Sequence, residues 1–234
     1  MGMLWSFINP VLMLVVYTFV FSVVFKAKWN TGSDSRTEFA LVLFAGLIVF
    51  NFFSECINRS PVTILNNTNL VKKVIFPLEI LPLVALGSAA FHLIVSLSVW
   101  FLAYIVIFGL PHITILLLPI ILLPLFFLTL GLSLAFASLG VYLRDLPQLL
   151  SIAINVLMFL SPIFYPASSI PLDYRFYLNL NPLTPLIEMS RDVMYFGDTP
   201  PIYEIFICFI ISLLIAFLGY VFFQKTRKGF ADVL

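Results

Sequence analysis

Six long apolar stretches constrain this chain more than any other feature. They cover residues 4–25, 39–57, 80–108, 113–139, 149–165 and 202–223. A helix needs about 20 mainly apolar residues to cross about 30 Å of hydrocarbon, and these runs are of that order. The third and fourth exceed the requirement, so they tilt or run past the membrane surface. The fifth is short and ends at Ser161-Pro162. Period-2 alternation is absent, which argues against a membrane barrel. Only 10% of the residues are charged and 62% are apolar, whereas a soluble domain is about 25% charged. So little charge cannot solvate a globule, and the excess apolar surface must face lipid. Soluble enzymes, disordered tails and nucleic-acid modules are excluded. The net charge of +1 gives no basic bias for a polyanion. The expected fold is all-α, with six transmembrane helices in one transmembrane domain spanning residues 1–234.

An even number of spans puts both termini on one side. With the termini cytoplasmic, the inner segments hold Arg59, Lys72, Lys73, Arg144, Lys225, Arg227 and Lys228, and the outer ones Lys26, Lys28, Arg36, Arg175 and Arg191. The positive-inside rule favours this orientation, because Lys72-Lys73 and Lys225 to Lys228 cluster close to span ends. The first apolar run is longer than a signal core, lacks a basic start, and is expected to stay in the protein. Cys56 and Cys208 fall toward opposite faces of the membrane, too far apart to pair, and read as small buried hydrophobes.

Two connections are long enough to do more than join helices. The inner one, residues 58–79, reads NRSPVTILNNTNLVKKVIFPLE. Thr68 or Asn69 is placed to cap a short helix over residues 70–75, ended before Pro77. Such a helix either presents side chains to a cytoplasmic partner or lies on the lipid surface with snorkelling lysines. The outer one, residues 166–201, is punctuated by Pro166, Pro171, Pro182, Pro185, Pro200 and Pro201 around LIEMSRDVMYF. Leu186, Ile187, Ser190 and Met194 share a helical face, with Glu188, Arg191 and Asp192 elsewhere. One or two amphipathic helices follow, a gate if packed beside a pathway and a cap if packed on lipid.

Catalytic and phosphate-binding motifs are missing. None of the ten glycines opens a G-x-x-x-x-G-K-[ST] loop. H-E-x-x-H, G-x-S-x-G and any metal-spaced Cys/His cluster are absent as well, so no catalytic residue and no metal ligand is expected. His92 is the one ionisable side chain well inside a span, a functional candidate by position and more simply a hydrogen-bonded neutral imidazole. With no relay of buried acids and bases, ion-coupled transport is disfavoured. Arg144-Asp145, in the tight connection between the fourth and fifth spans, is either an exposed pair or a brace for a partner. Tyr17, Phe21 and Phe25 form a stripe along the first span. It permits stacking on sugar rings and equally suits an interfacial belt.

Taken in order, several segments resemble the transmembrane permeases of type-2 ABC exporters, particularly those that export O-antigen, capsule or teichoic acid. They are GMLWSFINPVLMLVVYTFVFSVVF, NNTNLVKKVIFPLEILPL, YLRDLPQLLSIAINVLMFLSPIFYP, LNPLTPLIEMSRDVMYFG and KTRKGFADVL. The likeness covers essentially the whole chain. In one departure, only Met1, Gly2 and Met3 precede Leu4, where family members carry a basic amphipathic stretch ahead of Leu-Trp-Ser.

The resemblance implies a homodimeric permease in the cytoplasmic membrane, working with two copies of a separate ATPase that binds ATP and Mg, and exporting a lipid-linked glycan such as O-antigen. This chain itself would bind no cofactor and no nucleic acid. Coupling contacts would fall on Asn66, Asn67, Leu70, Lys72, Lys73 and Phe76, braced by Arg144 and Asp145. Tyr17, Phe21 and Phe25 would line the substrate pathway, and Glu188, Arg191, Asp192 and Tyr195 would belong to an outer gate. The competing readings are a permease for small-molecule or lipid efflux, and an ATP-independent membrane scaffold or flippase.

Overall fold

In lipid a backbone must satisfy its own polar groups, so apolar runs of this length fold as helices. The computed structural model describes residues 2–20, 36–72 and 76–233, and no strand occurs among them. The helices are α1 Gly2–Tyr17, α2 Arg36–Thr63, α3 Thr68–Lys72, α4 Ile80–Phe108, α5 Leu118–Tyr142, α6 Leu146–Leu160, α7 Leu172–Asn179, α8 Leu183–Arg191, α9 Ile202–Thr226 and α10 Phe230–Val233. Helix α4 has the bounds expected from sequence. Gly109, at φ +88°, ends it in a left-handed turn whose amide bonds back to Ile105 at 3.1 Å.

Among the described residues, four segments are long and apolar enough to cross a membrane: Thr37–Thr63, Ile80–Phe108, Ile113–Tyr142 and Ile202–Gly229. Helices α1 and α6 have 16 and 15 residues. At about 1.5 Å per residue each reaches only about 22–24 Å, less than the hydrocarbon thickness. Part of the first expected span, residues 21–25, lies outside the described residues.

The chain divides into two units that alternate along the sequence. The first comprises Met1–Asn51, Phe91–Ile121 and Phe159–Pro201. Its centre is the N-terminal part of α2, where residues 38–50 are all buried. A helix apolar on every side belongs in such a place. Trp100 of α4 is fully buried against it and donates its indole N–H to the Leu41 carbonyl at 2.9 Å. The same indole stacks on Tyr104 at 5.0 Å.

The second unit comprises Phe52–Ala90, Leu122–Met158 and Ile202–Leu234. Helices α5 and α9 touch backbone to backbone there. A Cβ on Gly131 would lie 2.6 Å from the Ala216 Cα, and one on Gly219 would strike the Gly131 carbonyl. Small residues permit this close approach, which supplies dispersion contacts that lipid tails cannot oppose. Ile64, Leu78, Leu134, Ala137, Val141, Phe223 and Phe230 form the unit's apolar cluster.

Candidate functional site

The connection over residues 58–79 begins as a continuation of α2. Helix α2 continues to Thr63, past the expected end at residue 57 and through Pro61. Two hydroxyls reach back one turn, Ser60 to the Cys56 carbonyl at 2.6 Å and Thr63 to the Arg59 carbonyl at 2.8 Å. Glu55 and Arg59 pair at 2.8 Å with the spacing that stabilises a helix. Beyond Thr63, a tight turn over Leu65–Asn67 leads into α3.

That turn sorts the expected coupling residues. Asn66 is exposed. Asn67 is partly buried and donates its amide to the Thr63 carbonyl at 2.8 Å, satisfying an orphan acceptor at the end of α2. Leu70, Val71 and Phe76 pack on the apolar cluster, which leaves Asn66 and Asn69 to face outward. The Lys72 side chain and all of Lys73 lie outside the described residues. Arg144 and Asp145, in the same unit, are exposed. The Asp145 carbonyl accepts the Gln148 and Leu149 amides at 3.2 Å each, starting α6.

Of the aromatic stripe, Tyr17 is half-buried on α1, while Phe21 and Phe25 lie outside the described residues. His92 sits on α4 with its ring 5.9 Å from that of Phe91. Both cysteines are free thiols.

The connection over residues 166–201 holds the two helices α7 and α8, where the sequence pattern leaves one or two open. Asn181 joins them to the end of α6. Its Nδ2 donates to the Ser161 hydroxyl at 2.8 Å, and its Oδ1 accepts the Leu183 amide at 3.0 Å. Arg191, at the end of α8, is only 2% exposed. Its Nε donates to the Val42 carbonyl at 3.0 Å and its Nη2 to the Ile163 carbonyl at 2.6 Å. Its Nη1 donates to the Pro162 carbonyl. Carbonyls in the irregular turn after α6 have no helical partner, so the guanidinium supplies what the backbone lacks. Gly46 makes room for it: a Cβ there would lie 2.6 Å from Nη2. Burial pulls the guanidinium down to about 9, opposed by the charges of Glu188 and Asp192. It remains a cation at neutral pH.

Tyr195 follows in a wide turn over Asp192–Phe196. Its ring meets Tyr104 and Phe108 edge-on, at 6.0 and 5.9 Å. Burial, then a hydrogen bond to the Glu38 carboxylate, holds its phenol well above the ordinary range. Between α8 and residues 166–168 lies a cavity of 270 Å3 lined by Pro166, Ala167, Ser168, Glu188, Arg191, Asp192 and Phe196. Carboxylates, a hydroxyl and an aromatic face suit contact with polyhydroxylated molecules. No group of His, Cys, Asp and Glu suited to a metal occurs among the described residues.

Thus Glu188, Arg191 and Asp192 come together at one cavity, and Tyr195 lies apart among the rings of α4. Sequence reasoning missed Glu38, Gly46, Trp100 and Phe230. Glu38 looked like the end of an outer loop, yet it is only 7% exposed. A lone acid at the start of an apolar run was the available signal.

Comparison with known proteins gives a consistent outcome. The family model described as ABC-2 type transporter matches residues 1–195. The chain is 27% identical over 235 residues to an O-antigen export system permease protein RfbA of Klebsiella pneumoniae, covering 100% of this chain and 87% of that protein. It is 25% identical over 234 residues to the protein of that name in Myxococcus xanthus, covering 99% and 87%. With the polysialic acid transport protein KpsM of Escherichia coli it shares 28% identity over 204 residues, 84% of this chain and 75% of the other.

Proposed function

The chain belongs to the ABC-2 type transporter family, and from that premise we propose that it is the membrane-spanning subunit of an ATP-driven exporter of lipid-linked polysaccharide. One observation carries this reading. The likeness to an O-antigen export permease runs along 100% of the chain and not along an isolated span.

In this reading the exporter holds two copies of the chain and two copies of a separate ATPase, which binds ATP and Mg. The subunit is one transmembrane domain of the cytoplasmic membrane, with both termini on the cytoplasmic side. Helices α1 and α6 complete six spans. The shortness of α6 is met by local thinning of the bilayer. The sequence holds no chain of buried acids and bases to carry protons, so the driving force comes from the ATPase.

The turn at Asn66 and Asn67 and the helix carrying Leu70 and Lys72 receive that force, with Lys73 and Phe76 following. Arg144 and Asp145 brace the same cytoplasmic surface. The aromatic residues Tyr17, Phe21 and Phe25 line the glycan's route. Helices α7 and α8 form the outer gate, with Glu188, Arg191, Asp192 and Tyr195 in it. Arg191 supports this role because its bonds join the gate helix to α2 and to the turn after α6.

The test is co-purification with the candidate ATPase, followed by hydrolysis assays with lipid-linked glycan in detergent. The expected result is a stable complex whose hydrolysis rises with glycan. A complex that ignores every glycan and responds to lipids or small hydrophobic molecules would favour efflux instead. No complex at all would favour the ATP-independent alternatives.

A further inference from the structure

The sequence after the last span, KTRKGFADVL, looks like a basic membrane-surface anchor. An anchor would hold its lysines and arginines toward headgroups and leave its aromatic residue in the lipid interface. Phe230 does the opposite: it is fully buried in protein. Its ring meets Phe223 edge-on at 5.7 Å and lies 6.0 Å from Tyr142. It belongs to the cluster against which Leu70, Val71 and Phe76 pack, and α10 lies against α3.

Polar bonds fix the same segment to two more elements. Arg227 Nη1 donates to Glu79 Oε2 at 3.1 Å, while Gln224 Nε2 donates to Glu79 Oε1 at 3.4 Å. Glu79 is the residue immediately before α4. Tyr142, at the end of α5, donates its hydroxyl to the Thr226 carbonyl at 2.8 Å. Gly229 passes under that phenol, where a Cβ would stand 2.8 Å from the oxygen. On the tail side, Gln224, Thr226, Arg227, Gly229 and Phe230 lie beyond residue 195, where the family match ends.

We propose that residues 225–233 form a latch that carries motion of α3 to the last span, with Phe230 and Arg227 as positioning residues. Phe230 anchors the latch in the cluster under α3, and Arg227 sets its register on Glu79. A displacement of α3 then moves α9 with it, because packed side chains transmit shifts and compress little. An exposed ion pair alone holds little, so the buried ring is the main attachment. The proposal rests on α3 being the element that the ATPase moves.

The test uses the complete complex with its ATPase in proteoliposomes, with export and hydrolysis measured together. Phe230→Ala is expected to lower export at least fivefold while ATPase recovery and hydrolysis stay within twofold of the wild type. Phe230→Leu, which refills the site, should restore most of the export. Arg227→Glu should lower export per ATP, and the swap Glu79→Arg with Arg227→Glu should recover it. The swap keeps the question answerable if Phe230→Ala fails to accumulate. Wild-type export rates in Phe230→Ala, or equal loss of export and hydrolysis, would overturn the latch. An inactive wild-type complex would instead overturn the exporter reading on which the latch depends.

Discussion

The guanidinium of Arg191 donates to the backbone carbonyl of Val42 at 3.0 Å, joining residues 149 positions apart in the chain. Helix α2 already uses that carbonyl in its own ladder, so the bond adds a second donor to one acceptor. The two other acceptors are in the turn after α6. A single buried cation therefore organises the connection over residues 161–201 of the first unit.

Arg191→Lys keeps the charge and loses the fork that reaches three carbonyls at once. Arg191→Ala leaves the Pro162 and Ile163 carbonyls without this donor, and a buried acceptor left unsatisfied costs about 1–3 kcal/mol. Both variants should unfold earlier in detergent, Ala by more than Lys. An Arg191→Ala protein with a wild-type Tm would contradict the organising role.

Gly46→Ala places a methyl 2.6 Å from Nη2. The guanidinium has to move, at a cost of about 1–3 kcal/mol for overpacking. Combined with Arg191→Ala, the two losses should fall well short of additive, because the second change removes the atom that the first one strikes. Thermal unfolding of the four proteins of this cycle gives the answer, and full additivity would place the Gly46 effect elsewhere.

Tyr195 supplies a pH signature. Its folded-state pKa lies above the ordinary value of 10, so the folded form keeps a proton that the unfolded form has released. The stability it contributes is complete below pH 10 and is lost as pH rises through the higher folded value. Tyr195→Phe removes the titrating group, and its Tm should fall less than the wild type's between about pH 9 and 11. Parallel curves would show that the phenol does not titrate in that way.

Lys72→Glu together with Lys73→Glu reverses the charge of the segment proposed to meet the ATPase. Less ATPase should be recovered with the permease, and the loss should shrink as salt rises. Unchanged recovery together with unchanged export would remove these lysines from the docking surface.

How far the sequence could be read depended on whether a feature was local. Helix α4 was legible from end to end because its apolar run is bounded by Pro77 on one side and by Gly109 and Pro111 on the other. The extra turn of α2 was not. Asn58, Arg59, Ser60 and Pro61 read as loop, yet the Glu55–Arg59 pair and the hydroxyl bonds of Ser60 and Thr63 carry the helix through them. Helix in the connection over residues 166–201 followed from proline spacing and amphipathic pattern, though not the choice between one helix and two. That Arg191 would be buried did not, since its partners are backbone carbonyls, which no side-chain pattern marks. Phe230 was hidden likewise, a single aromatic among polar residues whose neighbours come from three separate stretches of chain.

Translocation itself is the most direct measure of the central claim. The chain and its ATPase are reconstituted with lipid-linked glycan, and glycan reaching the leaflet opposite the ATPase is labelled by a reagent that cannot cross the membrane. The account predicts labelling that grows with time, requires ATP and Mg, and stops when the ATPase is left out. Glycan that stays unlabelled in an ATP-hydrolysing complex, or becomes labelled equally well without ATP, would contradict it.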